Sequence, residues 1–540
     1  MNDGISGRDE QLTTLASRRF DLLVVGGGIT GCGIARDAAL RGLSVAIVEK
    51  NDFASGTSSR SSRLIHGGVR YLEHGQLHLV FESSAERRRL LRLAPHLVRP
   101  LEFTWPVYAG SRIQRWKLGA GLTLYDALSL FRNVGRHHRL SSDAVLEREP
   151  MLRRDGLLGG AQYYDAATND ARLTLANAIG AAEAGAVTLN HAAVTALLKE
   201  NGRVTGATIQ DPLHGRVVDV SARVVVNATG PWSDELRRLD GETGLAVRGS
   251  KGAHISVPRD RIGNRDALTL LSPVDGRVLF VLPADSNAIV GTTDSYTTES
   301  PDDVRATRED LTYLLAAANH FFPAAELTAR DVVGAWAGIR PLVPAAGDAP
   351  GAASREHAIG TSASGLVSIT GGKLTTYRVM AADIIKLILP KLGSVSASDR
   401  AATLPLPGGD FISLESLVDD ATRVIGDATL ARHLASSYGS RWTRVWNEVN
   451  LPGGRAIVAA GLPYTVGELR YCVRSEMACT LADLLIRRTR IAFETTDRGL
   501  AAAENAAIHL SAVFGWDDAE RRTAIRAYAS EVDRIFAVAA

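Results

Sequence analysis

The 540-residue chain carries 61 Lys plus Arg against 59 Asp plus Glu, a net charge of +2, with 45% hydrophobic and 22% charged residues. This balance excludes large-scale disorder and any whole-molecule field for nucleic acid or an anionic membrane, so such a partner must be met by a local patch. The length favours several domains, and three scattered cysteines (Cys32, Cys472 and Cys479) make neither a disulfide framework nor a metal cluster.

Residues 1–19 mix acids with bases and lack an apolar core, so they read as a flexible tail and not a secretory signal. No run approaches the ~18 apolar residues of a spanning helix, which leaves only peripheral membrane contact. Residues 20–50, "FDLLVVGGGITGCGIARDAALRGLSVAIVEK", pass from an apolar run through glycines to a helical pattern and a second apolar run, a complete βαβ unit. "SSRLIHGGVRYLEHG" at 61–75 then crowds Arg63, His66, Arg70, Tyr71 and His74 around Gly67 and Gly68.

Residues 112–132 mix Arg112, Arg115 and Lys117 with Trp116, Leu118, Leu122, Leu124 and Tyr125. The segment suits either a membrane interface or a helix covering a substrate domain, and Gly119 and Gly121 weaken a continuous helix. Residues 191–211 turn at Asn201-Gly202, a hairpin signal, and "ARVVVNATGPW" at 222–232 is a strand ending in a small-residue turn. "GAHISVP", "RVLFVLP" and "NAIVGTTD" predict an antiparallel sheet in a second domain. "TLPLPGGD" at 403–410 reads as a linker. Beyond it the pattern is helical: a capping box of Thr465 and Glu468 predicts one long helix through Phe493, with further helices after Arg498 and Asp517.

Gly26, Gly28 and Gly31 form G-x-G-x-x-G between strand and helix, with Glu49 ending the next strand. The first glycine allows the turn, the second lets a pyrophosphate approach the backbone, and the third packs helix on strand. The helix N-terminus stabilises the phosphate charge, while a carboxylate at Glu49 accepts from ribose hydroxyls and repels a 2′-phosphate. The fingerprint does not separate NAD from FAD. A flavin is favoured because candidate residues recur after 60, 228, 338 and 371, as a long cofactor lying across separated segments requires. Serines 58, 59, 61 and 62 and the "NATGPW" turn are candidates to line it.

"GGGITGCGIARDAALRGLSVAIVEKNDFASGTSSRSSRLIHGGVRYLEHG", "NDARLTLANA", "VVNATGPW", "KGAHISVP", "VGTTD", "WAGIRPL" and "TGGKLTTYR" together resemble the FAD-dependent glycerol-3-phosphate dehydrogenase family, in order from about residue 20 to 390. The resemblance implies an α/β and α+β chain: a Rossmann-like FAD-binding domain of the D-amino-acid-oxidase type, an antiparallel-sheet substrate domain and a C-terminal helical domain. The expected segments are 20–80, 155–235 and 355–395 for FAD, 81–154 and 245–354 for substrate, 396–410 as linker and 411–540 as the helical domain. It also implies oxidation of sn-glycerol 3-phosphate to dihydroxyacetone phosphate, with electrons passed to membrane quinone. The implied location is the cytoplasm, peripherally on the inner face of the cell membrane, with a homodimer as a candidate assembly and neither nucleic acid nor metal as partner. An oxidase of the same fold that uses O2, or a hydroxy-acid or amine dehydrogenase, stands as the alternative.

A phosphate dianion calls for guanidinium forks. Arg70 and Arg340 match substrate-binding arginines of the family, and Tyr71, Lys373 and Thr375 are expected to assist. His66, beside Gly67, is expected either to take the alcohol proton or to pack the flavin, and Arg340 is counted with it as catalytic. A helix beginning near Leu374 or Thr375 would aim its N-terminus at the flavin, with Lys373 adding a full charge. The FAD contacts expected in all are Gly26, Gly28, Ile29, Thr30, Gly31, Glu49, Lys50, Thr57, Ser58, Ser59, Ser62, Arg63, His66, Gly67, Val194, Ala228, Thr229, Gly230, Trp232, Gly338, Gly372, Lys373, Leu374 and Thr375.

Overall fold

A computed structural model of the chain describes residues 7–69, 72, 76–129, 134–344, 356–393 and 398–539. The Val-rich runs bracketing the first glycines become parallel neighbours: strand Phe20–Val25 lies between Val45–Val48 and Arg216–Asn227, and Val187–Leu189 and Val367–Gly371 extend the sheet on either side. Such central strands are buried on both faces and therefore carry continuous apolar runs instead of alternation. Helix Ile29–Leu40 crosses one face, joined there by Asp170–Glu183 and Tyr377–Leu392, and Leu22, Val24, Ile34, Ile47, Val226 and Ile384 share one core. The hairpin Ala193–Glu200 with Arg203–Asp211 turns at Asn201 and Gly202, whose φ values of 49° and 76° are those its sequence favours.

The second sheet is mixed and mostly antiparallel. Strands Arg248–Pro258, Asn287–Gly291, Val278–Ala284 and Ala267–Leu271 run side by side, and Ala267–Leu271 meets Val98–Tyr108 in parallel. Gly334–Leu342 pairs with Arg248–Pro258, which places Arg340 opposite Ser250 and Gly338 opposite Gly252. Strands Leu64–Ile65 and Leu157–Thr168 also belong to this sheet, although both lie in segments expected in the FAD domain. The loop after the first βαβ unit thus runs directly from the nucleotide half into the wall of the other half.

Three expectations need correction. Residues 8–17 form a helix, not a flexible tail: Leu12 and Leu15 are buried, and Arg8 binds Asp211 at 2.9 Å and the carbonyls of Asn190 and His191. The long helix expected over 465–493 is broken. Helix Val466–Ser475 stops before Met477, which has φ 57°, and the chain resumes as a π-helical turn, Asp483–Arg488, and a short helix, Ile491–Glu494. Thr465 does cap Glu468 N–H, but the Glu468 carboxylate turns away to His433 and Tyr438, so the reciprocal half of the box is not made. Finally, the helix after "TGGK" begins at Tyr377, because Lys373–Thr376 close a turn of their own with Thr376 N–H donating to Lys373 C=O.

The break near 480 has a local cause. Asp52, fully buried at the end of the first βαβ unit, accepts from Arg487 Nε at 2.6 Å, from Arg488 Nη1 at 2.5 Å and from Asn190 at 2.9 Å. Asp483 in turn binds Arg487 and His191. Burial favours its neutral form, but His191 and the two arginines prevail and hold it well below the usual carboxylate range. One carboxylate from the nucleotide half therefore secures adjacent arginines of the C-terminal helices, which no regular α-helix would present together. Asp52→Ala removes the carboxylate that Arg487 and Arg488 share, leaving Arg487 to Asp483 and Arg488 with only the Glu476 carbonyl. It is expected to destabilise the fold by about 3–5 kcal/mol, read as a lower urea midpoint; an unchanged midpoint would show that the Asp52 network does not join the two halves.

Candidate active site

Two cavities meet at the junction of the sheets. The larger, about 660 Å³, is lined by Gly26, Gly28, Ile29, Thr30, Glu49, Lys50, Thr57, Ser58, Val194, Ala228, Thr229, Gly230 and Trp232. The second, about 290 Å³, is lined by Ser62, His66, Gly338, Arg340 and Thr375 among others. Ile29, Thr57, Ser58, Gly372, Lys373 and Leu374 line both, so the two form one continuous cleft.

In the larger cavity the backbone has the shape a dinucleotide needs. A Cβ on Gly31 would lie 1.9 Å from Gly26 O, and one on Gly26 would lie 2.7 Å from Ala228 O, so only glycine permits this approach of helix, strand and turn. Gly26 also has φ +110°, in the region that favours glycine. Helix Ile29–Leu40 starts without a side-chain cap from its own N-cap residue, Gly28; instead Ile29 N–H donates to Ser58 Oγ at 3.0 Å, which fixes the serine loop against the helix N-terminus. Glu49 accepts from Gly27 N–H at 2.6 Å and Asn51 N–H at 2.9 Å, while burial raises its pKa. Lys50 pairs with Asp302 at 2.8 Å and lies over the Trp232 ring.

The smaller cavity is built mainly by the second sheet. Arg340 donates to Asp294 Oδ1 at 3.1 Å and Thr292 Oγ1 at 3.0 Å. It lies so close over Gly252 that a Cβ there would meet Nη2 at 2.3 Å. His66 enters from the loop: Gly67 N–H donates to Asp165 at 2.9 Å, and Thr375 Oγ1 donates to His66 C=O at 3.4 Å. A Cβ on Gly67 would strike the Tyr125 hydroxyl, so this glycine serves packing of helix Arg115–Leu128 and not the cavity wall. Lys373 lines both cavities, with Nζ 3.4 Å from Ser83 Oγ. Arg70 and Tyr71 lie outside the described residues, as does His74.

Ser59 and Arg63 line neither cavity. Ser59 is buried beneath the loop, and Arg63, at φ 55°, turns its guanidinium away to the rings of Phe493 and Trp336. Gly31 stands behind the wall, as its packing role demands.

Other residues at the pocket escaped sequence reasoning: Arg60, Asp165, His254, Arg277, Thr292 and Asp294. Period-two alternation along Arg248–Pro258 sets Ser250, Gly252 and His254 on one face, a usable signal once Arg340 is known to pair with this strand. His254 bonds Ser62 Oγ at 2.9 Å and stacks on Trp336. Burial, then the charges of Arg340 and Arg63, push it down to about 3. Its folded pKa lies below that of the free side chain, so the unfolded chain binds the proton first. The stability it protects is full above about pH 6.5 and is lost as pH falls toward 3, at about 1.4 kcal/mol per unit. Unfolding of His254→Gln between pH 7 and 5 should accordingly be less pH-dependent than wild type by about that slope; parallel profiles would refute a neutral buried His254.

The family model for FAD dependent oxidoreductases matches residues 21–378, and that for the C-terminal domain of alpha-glycerophosphate oxidase matches residues 400–521. The chain is 40% identical to glycerol-3-phosphate dehydrogenase 2 of Mycobacterium tuberculosis over 96% of its length and 89% of the relative's. It is 36% identical to the aerobic glycerol-3-phosphate dehydrogenase of Bacillus subtilis, covering 95% and 94%. The structure of the glycerol-3-phosphate dehydrogenase from Bacillus halodurans, complexed with FAD, superposes with a TM-score of 0.81 at 33% identity, covering 98% of this chain and 97% of that one. Glycine oxidase from Geobacillus kaustophilus, at 21% identity and TM-score 0.52, shares the fold alone. The glycine cradle, the carboxylate that follows it and these full-length likenesses lead to one conclusion: the chain belongs to the FAD-dependent glycerol-3-phosphate dehydrogenase family.

Proposed function

We propose that this chain oxidises sn-glycerol 3-phosphate to dihydroxyacetone phosphate and that the electrons leave to a membrane quinone. Bound FAD supplies the two-electron acceptor. The observation that carries the reading is Arg340, a guanidinium fixed by Asp294 and Thr292 in a cavity continuous with the dinucleotide cleft.

Arg340 and Arg277 are assigned to the substrate phosphate, with Arg70 and Tyr71 completing the set. Arg277 is pre-aimed by its bonds to Asp294 C=O and Asp275. His66 is assigned the alcohol proton, because its loop is anchored on both sides by Asp165 and Thr375 and it faces the same pocket. His254, driven neutral by burial and Arg340, is better suited to orienting Ser62 than to keeping a proton. Lys373, which lines both cavities, would place positive charge beside a bound flavin and so favour its negatively charged reduced form.

For membrane contact, helices Leu77–Leu93 and Arg115–Leu128 pack together and expose Leu77, Phe81, Trp116 and Leu124 beside Lys117. An apolar patch with basic neighbours suits an anionic lipid surface. No helix among the described residues is long and apolar enough to cross a membrane.

Purified holoenzyme given glycerol 3-phosphate in air should reduce a quinone analogue with little peroxide; stoichiometric peroxide in the presence of quinone would favour the oxidase reading instead. Gly252→Ala inserts a methyl group where the Arg340 guanidinium lies. It should lower kcat/KM about 10–100-fold, chiefly through KM, with flavin content unchanged. An unaltered KM would remove Arg340 from the substrate.

A further inference from the structure

A third cavity, about 480 Å³, lies on the far side of the active-site loop, between the second sheet and the C-terminal helices. We propose that it is an anion site for a small phosphorylated molecule, distinct from the substrate pocket. Ser62 and Leu64 line both cavities, and Arg63 between them lines only this one.

The charge balance supports the assignment. Arg63, Arg99, Arg432 and Arg490 all line the cavity, against Asp285 and Glu494, both of which are already bound by Arg490 at 2.5 Å and 3.2 Å. Arg63 is 9% exposed, and its guanidinium makes no hydrogen bond or ion pair among the described residues, only ring contacts with Phe493 and Trp336. A guanidinium has five N–H donors, and those of Arg63 are free to meet an anion that enters the cavity. Burial and then the neighbouring charge of Arg490 lower the pKa of Arg63 to about 10. At the same wall, buried His96 Nδ1 and Thr168 Oγ1 have no partner. His96 is held neutral, down to about 3, by burial and then by Arg172.

Arg63 and Arg432 offer guanidinium donors to the oxygens of a phosphate, Arg99 adds charge while donating to the carbonyls of His96 and Ser436, and the cavity has room for an organic portion beside Leu101, Leu282 and Tyr464. Occupancy would also reach the chemistry. The Arg63 carbonyl accepts from Thr168 N–H at 2.8 Å, and the preceding residue, Ser62, bonds His254 in the substrate pocket. A ligand drawing on Arg63 is therefore one residue away from a pocket wall.

The test uses full-length, FAD-loaded enzyme and inorganic phosphate, followed by calorimetry at constant ionic strength set with chloride. Wild type should bind at two sites. Arg340→Met should lose one and keep the other. The double variant Arg99→Gln/Arg432→Gln, altering two exposed side chains, should weaken the remaining site at least about tenfold, while leaving flavin reduction in phosphate-free buffer unchanged. Arg432→Glu alone provides a second reading in the same direction. Loss of all phosphate binding in Arg340→Met, or wild-type affinity in the double variant, would overturn the proposal.

Discussion

The position of one glycine, set against a carbonyl oxygen, organises this molecule. Gly31 lies so close over Gly26 O that no side chain fits between them, and that contact fixes helix Ile29–Leu40 to the sheet with its N-terminus open to the cleft. Ser58 then takes the Ile29 N–H, which positions the loop Ser55–His66; the same loop carries Arg60 beneath Gly338 and Ser62 against His254. The nucleotide half and the substrate half are therefore joined by a continuous covalent and hydrogen-bonded path. The cleft that results takes one wall from each.

The charged groups fall into two physical kinds. Arg340, Arg277 and Lys373 line an open cavity, the two arginines held in place by Asp294 and Asp275, so they keep faces toward the cavity that an anion could reach. Asp52, Arg487 and Arg488 are the opposite: buried, mutually satisfied and outside the two cavities of the cleft, they hold the C-terminal helices to the nucleotide sheet. Composition alone does not distinguish them. A nearly neutral total can conceal one cluster paired in the interior and another that faces a cavity.

Much of the nucleotide half was legible because its determinants are local. Glycine spacing, apolar strand runs and the Asn201-Gly202 turn each act over a few residues, and each is found where the pattern places it. The substrate half was less legible because its pocket residues come from strands far apart in sequence: Arg340 was singled out, but Asp294 and Thr292, which aim it, lie about 46–48 residues away on another element. The uninterrupted helix expected to Phe493 failed for a tertiary reason, since Asp52 draws Arg487 and Arg488 together and Met477 takes a left-handed backbone. Arg63 was expected among the FAD contacts, yet with its positive φ its guanidinium lies over Phe493.

In the proposed reaction the two adjoining cavities act as one site, in which the secondary carbon of glycerol 3-phosphate meets the flavin. Stopped-flow reduction of the anaerobic holoenzyme by glycerol 3-phosphate, compared with substrate deuterated at C2, tests it most directly. The unlabelled substrate should bleach the flavin band, and the deuterated substrate should bleach it more slowly, because the C2–H bond breaks in the step that reduces the flavin. Failure to bleach, or bleaching by an amino acid in its place, would contradict it.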